Sequence, residues 1–432
     1  MLDLAVFVKY DWSMEYLKYY KIKLAGYICA LTVIFSLVIS CGGGGSSDSA
    51  KITLEFWQFW TDPDAKATVT SLIEDFQSRN PDTEVNVTDL TWGEGHSKIV
   101  VAFSSGNPPD IIELGSDWIP EFSNRGALYD ISGFTADIRD KHIMWDPGIF
   151  GGKYYAVPWL LDTRVIFYNI DLMNRAGVSF EDATVSWDEF LFACQKVNGL
   201  GKDIAGFGAN SFEKHRLYKK FLPFLWSAGG EVIDRMGESS LDSPEALSAF
   251  EYYLNLVKYG AIDTQSNLDQ RFISGKLGFN FSGGWLLKNI HNNNPELNFG
   301  VITVPTPDGE MGISFAGGEY LALSSRCAHP EAAARFIKFL ADPENTARLC
   351  ETVGFGFPST KQLPDDPFYT ENRNRMLFHE QLLNSRMPPA HEDWVYIEEV
   401  IEKMVERGMY RKGEPAELLK QAETEISKIL NR

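Results

Sequence analysis

Residues 51–90 read KITLEFWQFWTDPDAKATVTSLIEDFQSRNPDTEVNVTDL and contain three predicted elements in succession. Residues 52–57 alternate between apolar and polar side chains and are rich in aromatic ones, which predicts a β-strand. Residues 62–79 carry apolar side chains at helical spacing and are flanked by prolines, which predicts a helix. Residues 84–90 have the pattern of a second strand. A further helix and strand are predicted before residue 115, so this part of the chain indicates a doubly wound α/β sheet.

The rest of the chain is richer in predicted helices. A β-rich passage at residues 165–169 comes first, and two more strands are predicted at residues 277–281 and 299–304. Helical spacing recurs at residues 187–197, 219–226, 244–259, 269–274, 330–340, 343–351, 394–407 and 415–430. A length of 432 residues exceeds what one hydrophobic core usually covers. We therefore expect two lobes that the chain crosses more than once.

The N-terminal forty residues have the order of a secretory signal. Lysines up to Lys23 lead into an apolar run at residues 24–39, which is shorter than the ~20 residues that a membrane-spanning helix needs. The run leads to Cys41, and residues 42–50 contain only Gly, Ser, Asp and Ala. This arrangement resembles a bacterial lipobox. We expect residues 1–40 to be removed as a signal peptide and Cys41 to carry lipid.

Further expectations concern the same region. Residues 41–50 should form a flexible tether, because Gly and Ser leave the backbone free. Asp3 and Asp11 do not fit the basic start of a signal, so Met14 is the expected start of translation. The protein should then lie outside the cytoplasm, anchored by lipid to a bacterial membrane in the periplasm or at the outer face. The alternative is an uncleaved apolar anchor in which Cys41 is incidental.

Composition excludes several classes of protein. The net charge is −19 and no Lys/Arg cluster follows the signal, which argues against a nucleic-acid partner. Cys194, Cys327 and Cys350 are too few for a disulfide scaffold, although a Cys327–Cys350 bridge stays open. No phosphate-loop, zinc-protease or serine-hydrolase motif is present, and the His residues are scattered. We expect no catalytic residue, no metal and no cofactor.

The candidate ligand-binding residues lie where predicted strands end, which is where α/β sheets bind their ligands. Aromatic rings suit a sugar because they stack on its C–H face, while carboxylates, amides and a guanidinium group hydrogen-bond its hydroxyls. The candidates are Gln58, Trp60, Asp62, Glu113, Asp117, Trp118, Asp162, Arg164, Trp285, Gly317, Gly318 and Glu319.

Some of these candidates have a purely structural alternative. Large aromatic side chains commonly fill cores rather than bind ligands. Asp62 and Asp117 precede predicted helices and could be N-caps. The Gly-Gly-Glu at residues 317–319 follows a predicted strand at residues 312–315 and could be an ordinary turn.

Four passages occur in an order and spacing typical of one family. They are SGNPPDI at 105–111, GKYYAVP at 152–158 leading through Asp162-Thr163 to Tyr168-Asn169 and then Trp187-Asp188-Glu189, SGK at 274–276 leading to GGW at 283–285, and Gly317-Gly318. Together they resemble the extracellular solute-binding proteins of carbohydrate ABC importers, the group that includes the maltodextrin-binding proteins. The resemblance runs over nearly all of residues 51–360. It implies an α/β, two-lobe, type II periplasmic-binding-protein-like fold, in which each lobe is a sheet flanked by helices and hinge strands join the lobes.

The resemblance also implies roles for individual residues. Trp285 matches the family's stacking aromatic, Asp162 an acidic residue at the hinge crossing, and Asp117 one in the loop after Pro-Asp. Gly284 departs from the family, because many members have Pro there, and Glu319 stands where small or aromatic residues are common. Both departures would reshape the pocket, so the identity of the sugar stays open.

The expected division into lobes uses two return segments. Residues 51–160 and about 276–313 are assigned to lobe 1. Residues 161–275 and about 314–432 are assigned to lobe 2.

We interpret the chain as the non-enzymatic substrate-binding component of an ABC importer. It would capture a sugar or oligosaccharide between its lobes and deliver it to the permease subunits as a monomer held at the membrane. One alternative is a lipid-anchored surface glycoside hydrolase, with Asp162 and Glu113 or Glu319 as its acid and base. Another is a binding protein for a non-sugar solute such as a polyamine.

Overall fold

Thirteen strands and sixteen α-helices alternate along residues 51–431, the part of the chain that this computed structural model describes. The strands are β1 (Ile52–Gln58), β2 (Thr83–Asp89), β3 (Ile111–Gly115), β4 (Ile149–Phe150), β5 (Lys153–Tyr154), β6 (Ala156–Asn169), β7 (Ala205–Asn210), β8 (Gly260–Asp263), β9 (Leu277–Gly283), β10 (Phe299–Ile302), β11 (Ser314–Leu323), β12 (Phe357–Pro358) and β13 (Ser385–Arg386). The predicted signal peptide, Cys41 and the tether lie outside the described residues.

The helices interleave with these strands and begin mostly at capping residues or prolines. They are α1 (Pro63–Arg79), α2 (Gly95–Ser105), α3 (Ile119–Asn124), α4 (Ser132–Thr135), α5 (Ile170–Ala176), α6 (Trp187–Asn198), α7 (Tyr218–Ser227), α8 (Pro244–Val257), α9 (Gln265–Ile273), α10 (Trp285–Asn293), α11 (Pro330–Leu340), α12 (Pro343–Val353), α13 (Pro367–Thr370), α14 (Arg373–Leu383), α15 (Trp394–Met409) and α16 (Pro415–Leu430). None of the helices among residues 51–431 has both the length and the apolar character needed to cross a membrane.

Eleven strands form one sheet, and β4 and β5 form a separate ribbon. The main path of the sheet runs β2-β1-β3-β11-β6-β9-β7-β8, with β10 and β12 pairing on β6 and β13 on β11. β1 is parallel to β2 and β3, and β7 is parallel to β8 and β9. β11 and β6 lie antiparallel between these two parallel groups. We call the group of β1, β2 and β3 the first half and the group of β7, β8 and β9 the second half.

Two long strands connect the halves. Residues 156–163 of β6 pair with β11, while residues 164–168 of the same strand pair with β9. β11 in turn pairs with both β6 and β3. The backbone of β6 therefore runs without interruption from one half into the other. We call β6 and β11 the crossing strands.

Each half has its own aromatic core. In the first half, Phe336 of α11 packs edge to face against Phe56 of β1 and Phe76 of α1, with ring centroids 5.4 Å and 5.0 Å apart. In the second half, Phe207 of β7 packs against Tyr253 of α8 at 6.1 Å. Burial of such side chains removes apolar area from water and stabilises each half separately.

The pairing differs from the expected division into lobes. β9 lies in the segment assigned to lobe 1, but it pairs in parallel with β7 of the second half. α11 and α12 lie in the segment assigned to lobe 2, but they pack on the first half, where Arg348 pairs with Asp75 of α1 at 2.9 Å. β9 therefore groups with the second half and α11 and α12 with the first, whereas α15 and α16 pack in the core of the second half. Partners far apart in sequence decide the half to which a segment belongs.

The turn considered for the Gly-Gly-Glu at residues 317–319 was wrong, since these residues lie within β11. A Cβ atom added to Gly318 would lie 2.4 Å from the carbonyl oxygen of Leu160. Gly318 therefore allows the two crossing strands to approach each other closely.

The cysteines of the described part are not bridged. Cys194, Cys327 and Cys350 are all free thiols. The Cys327–Cys350 bridge, which the sequence left open, does not form.

Candidate ligand-binding site

The candidate site lies where the crossing strands meet the ends of neighbouring elements. Gly317 of β11 is opposite Asp162 of β6, and Glu319 is opposite Leu160. Because alternate residues of a strand point to the same face, Asp162, Arg164 and Glu319 share one face of the sheet. We call the surface around these three residues, together with Trp60 and Trp285, the crossing site.

Asp162 and Arg164 form an ion pair on β6, with Nη1 of Arg164 3.0 Å from Oδ2 of Asp162. Oδ2 also accepts a hydrogen bond from the backbone N–H of Gly284 at 3.3 Å. Burial raises the pKa of Asp162, although Arg164 opposes this, and burial lowers the pKa of Arg164. The second carboxylate oxygen of Asp162, Oδ1, is buried and has no protein partner. It is an acceptor that a ligand can use.

Trp285 starts helix α10 directly after Gly284, so the chain turns sharply at the end of β9. Its indole Nε1 donates a hydrogen bond to Oδ2 of Asp269 at 2.9 Å, which fixes the orientation of the ring. The guanidinium of Arg164 lies 4.5 Å from the ring centroid. The half-buried indole therefore stands beside the Asp162–Arg164 pair.

Glu113 and Glu319 are two carboxyl groups that form no ion pair in the described part of the chain. Oε2 of Glu113 accepts a hydrogen bond from the backbone N–H of Phe59 at 2.7 Å, whereas its Oε1 is buried without a partner. Burial raises the pKa of Glu113 well above its ordinary value, and the neighbouring Glu319 adds to the effect. Burial and the charge of Asp162 raise the pKa of Glu319 to about 8. Burial therefore favours the neutral form of both carboxyl groups.

Asp117 links the two halves of the protein. It lies after β3 of the first half, and its Oδ2 accepts hydrogen bonds from Tyr218 Oη at 2.8 Å and Lys219 Nζ at 3.0 Å. Both partners belong to α7, in the second half. Burial acts to raise the pKa of Asp117, but Lys219 and Tyr218 outweigh it and the pKa is lowered. The N-cap alternative for Asp117 was wrong, because α3 has no side-chain cap.

Two predicted residues are used for local structure. Asp62 caps α1 by accepting hydrogen bonds from the backbone N–H groups of Asp64 and Ala65, so its structural alternative is confirmed. Gln58 is fully buried and donates from Nε2 to Asp89 at 2.7 Å, while its Oε1 accepts from the backbone N–H of Trp60. Its hydrogen bonds hold the loop after β1 in place.

The two remaining tryptophans differ in their surroundings. Trp118 is 3% exposed and packs against Phe59 and His96, with ring centroids 5.9 Å and 5.1 Å away. Trp60 is half-buried, and its ring lies 6.2 Å from that of Phe355. The indole nitrogens of both tryptophans lack a hydrogen-bond partner. Trp60 is therefore the better placed of the two to contact a ligand.

The sequence did not indicate four residues that contribute to this region. Tyr218 and Lys219 bond Asp117, and Phe355 lies between Trp60 and Trp285. Lys220 is buried, donates to the carbonyl oxygen of Phe281 at 2.6 Å, and has its pKa lowered well below the ordinary value by burial. They belong to segments without a motif. The adjacent residues Lys219 and Lys220, near the start of α7, were the only local signal.

A small cavity lies beside Asp162. Its volume is about 10 Å³, and it is lined by Gly284, Phe355 and Arg375 among others. Pockets that hold small-molecule ligands usually enclose about 300–1,000 Å³. Among residues 51–431, no group of three or more His, Cys, Asp or Glu residues is arranged to hold a metal ion.

Comparison with known proteins agrees with this architecture. The family model for bacterial extracellular solute-binding proteins matches residues 60–347. An uncharacterized lipoprotein of Streptomyces antibioticus is 27% identical over 362 residues, which are 79% of this chain and 78% of that protein. The diacetylchitobiose-binding protein DasA of Streptomyces coelicolor is 26% identical over 343 residues, 73% of this chain and 77% of its own length.

Solved structures show the same fold. The GacH receptor of Streptomyces glaucescens, solved unliganded and in complex with acarbose, superimposes with a TM-score of 0.78 at 22% identity, covering 88% of this chain and 99% of the receptor. This likeness confirms the predicted type II periplasmic-binding-protein-like fold. Because the family model covers well over half of its length, the chain belongs to the bacterial extracellular solute-binding proteins.

Proposed function

We propose that the chain is the substrate-binding component of an ABC importer, which captures a sugar or oligosaccharide at the crossing site and passes it to a membrane permease. The observation that carries this proposal is the position of Trp285 beside the Asp162–Arg164 pair. The names of the relatives support the saccharide class, since one binds diacetylchitobiose and the GacH receptor was solved with acarbose.

The chemistry of the crossing site suits a sugar. The indole face of Trp285 offers an apolar platform whose orientation Asp269 fixes, and a sugar ring can stack its C–H groups on it. Oδ1 of Asp162 and the indole N–H of Trp60 lack partners, so they supply one acceptor and one donor for hydroxyl groups. A few placed polar groups on an aromatic surface are typical of small-molecule sites.

Capture would require the two halves to move apart and close again. The cavity beside Asp162 is too small for a sugar, and Asp117 bonds Tyr218 and Lys219 across the halves. We infer that the described conformation is a closed one, and that a ligand enters when these bonds open. The crossing strands β6 and β11 would bend to permit this hinge motion.

We propose that lipid on Cys41 holds the protein at a bacterial membrane, with residues 42–50 as a tether and removal of residues 1–40. The lipoprotein of Streptomyces antibioticus supports anchoring. The protein would act as a monomer that docks on the permease through surfaces outside the crossing site. Lobe 1 would comprise the first half together with α11 and α12. Lobe 2 would comprise the second half, which includes β9.

We propose binding without catalysis. Glycoside hydrolysis needs one protonated and one ionised carboxyl group at the scissile bond. Glu113 and Glu319 both have raised pKa values, and Asp162 is paired with Arg164. Burial raises the pKa of Asp162 as well, so the surroundings do not set one of the three carboxyl groups apart as the ionised base. The family is also one of binding proteins.

The test is a thermal-shift screen of the full chain in mild detergent against a panel of sugars, with product analysis of every hit. A stabilising sugar recovered intact supports capture, whereas a cleaved sugar contradicts it. Trp285→Ala should weaken binding about 30-fold, which corresponds to about 2 kcal/mol for an aromatic contact of this kind. Trp285→Phe keeps a ring face and should lose less than about tenfold. Normal binding by Trp285→Ala would place the ligand elsewhere.

A further inference from the structure

Three carboxyl groups form a row on one face of the central strands. Asp162 is opposite Gly317, Glu319 lies two residues further along β11, and Glu319 is opposite Gly115 of β3. Glu113 lies two residues before Gly115 and so on the same face. Diagonal neighbours in such a ladder are about 7–8 Å apart, within reach of long side chains. We call Glu113, Glu319 and Asp162 the carboxyl row.

The charges around this row are not balanced. Arg164 pairs with Asp162, and Lys219 pairs with Asp117. Within residues 51–431, neither Glu113 nor Glu319 forms an ion pair, although other residues pack around both. Oε1 of the fully buried Glu113 also lacks any hydrogen-bond donor. The row therefore lacks one positive charge at its Glu113 end.

The groups that face Glu319 explain why it holds a proton. Burial and the charge of Asp162 on β6 disfavour its ionised form, and Arg164 and Lys219 favour that form less strongly than burial opposes it. Glu319 in turn raises the pKa of Glu113 on β3. The thiol of Cys350 on α12 lies near enough to sense the charge of Glu319, and burial keeps that thiol neutral by raising its pKa. Two neighbouring carboxyl groups, neither of which forms an ion pair, cannot both be ionised at low cost.

We propose that Glu113 and Glu319 form a subsite for a protonated amine, so that the saccharide taken up is an amino sugar with a free amino group. This inference rests on the proposed function. An ammonium group has three N–H donors and no acceptor, which matches carboxylate oxygens that can only accept. Its hydrogen bonds to carboxylates are charge-assisted and therefore strong.

Binding of an ammonium group changes the protonation of the pair. The ligand keeps its own three N–H hydrogens, and a carboxyl proton of the Glu113–Glu319 pair leaves to the solvent. The positive charge of the ligand then replaces that of the released proton. A neutral sugar brings no charge, so it leaves the proton in place. Proton release thus distinguishes an amine subsite from ordinary hydroxyl binding.

The experiment is calorimetry of the full chain in mild detergent, at about pH 6 where primary amines are protonated. Three β-1,4-linked disaccharides are compared: deacetylated chitobiose, diacetylchitobiose and cellobiose. They differ only in bearing two ammonium groups, two acetamido groups or two hydroxyl groups. Repetition in buffers of different ionisation enthalpy gives the number of protons released. We expect the diamine to bind at least about tenfold tighter and to release about one proton.

Variants separate the subsite from the rest of the site. Glu319→Gln should lose the preference for the diamine, while Glu74→Gln, which removes a carboxylate from the exposed surface of α1, should keep it. If a neutral disaccharide binds equally well or no proton is released, the amine subsite is refuted and sugar capture stands. Putrescine is titrated as a fourth probe, and if it alone binds, the subsite is supported and the sugar proposal fails. If no probe binds, the inference is overturned.

Discussion

The pH dependence of folding offers a test that needs no ligand, with Glu319→Gln as the perturbation. Glu319 has a pKa of about 8 in the folded chain, against an ordinary value of 4.5. Between these values the folded chain holds a proton that the unfolded chain releases. The free energy of unfolding therefore falls as the pH rises through this window. A glutamine stays neutral throughout, so the variant should not show this contribution.

The magnitude follows from the same two pKa values. A fully enclosed group with this difference would lose about 5 kcal/mol between pH 4.5 and pH 8. Glu319 is half-buried, so solvent screening reduces the expected contribution to about 2 kcal/mol. The variant and the natural chain should be about equally stable near pH 4.5. Near pH 9 the variant should be about 2 kcal/mol more stable relative to the natural chain.

Urea unfolding of the full chain, followed by tryptophan fluorescence at about pH 5 and about pH 9, measures this difference. Contributions from titrating groups far from Glu319 cancel when the variant is subtracted from the natural chain. Glu74→Gln serves as the control, because it removes the same charge from an exposed position. A stability difference that stays constant between the two pH values, or one that turns against the variant at high pH, would refute the raised pKa of Glu319.

Three other perturbations test separate parts of the structure. Asp117→Asn removes the charge with which Lys219 pairs, so the two halves of the unliganded variant should lie further apart and its radius of gyration in X-ray scattering should be larger. An unchanged radius would show that this contact does not hold the halves together. Gly318→Ala should lower the free energy of unfolding by about 1–3 kcal/mol, because the added Cβ would collide with the backbone of Leu160. Gly133→Ala is the control, since its Cβ meets open space and should have little effect. Equal effects of the two substitutions would contradict the close approach of the crossing strands. Cys41→Ser should release the protein from the membrane fraction of the producing cells, and retention there would contradict lipid anchoring.

Local elements could be predicted from the sequence where local signals exist. Helices α11 and α16 have the bounds that the sequence predicted, because a proline starts each one and apolar side chains recur at helical spacing until the last residue. The position of Trp285 was also predictable, since two glycines after a buried strand indicate a sharp turn. The aromatic ring that follows such a turn is placed at the end of the strand.

The partners of residues far apart in sequence could not be predicted in this way. Asp117 looked like a helix cap, but its partners are Tyr218 and Lys219, about a hundred residues later. The half to which β9 belongs depends on its pairing with β7, which no pattern within β9 reveals. Gly318 looked like a turn residue because glycine serves turns and close backbone contacts equally well.

The continuous backbone of β6 has a mechanical consequence. Asp162 lies at the point where the strand changes partners from β11 to β9, so a group proposed to hold the ligand sits on the very ladder that must bend. Ligand binding at the crossing site and bending of the hinge strand would then act on the same few peptide groups. Amide hydrogen exchange of residues 160–166 would therefore report ligand binding and hinge bending at once. A spectroscopic label attached elsewhere in either half would detect only the resulting movement of that half.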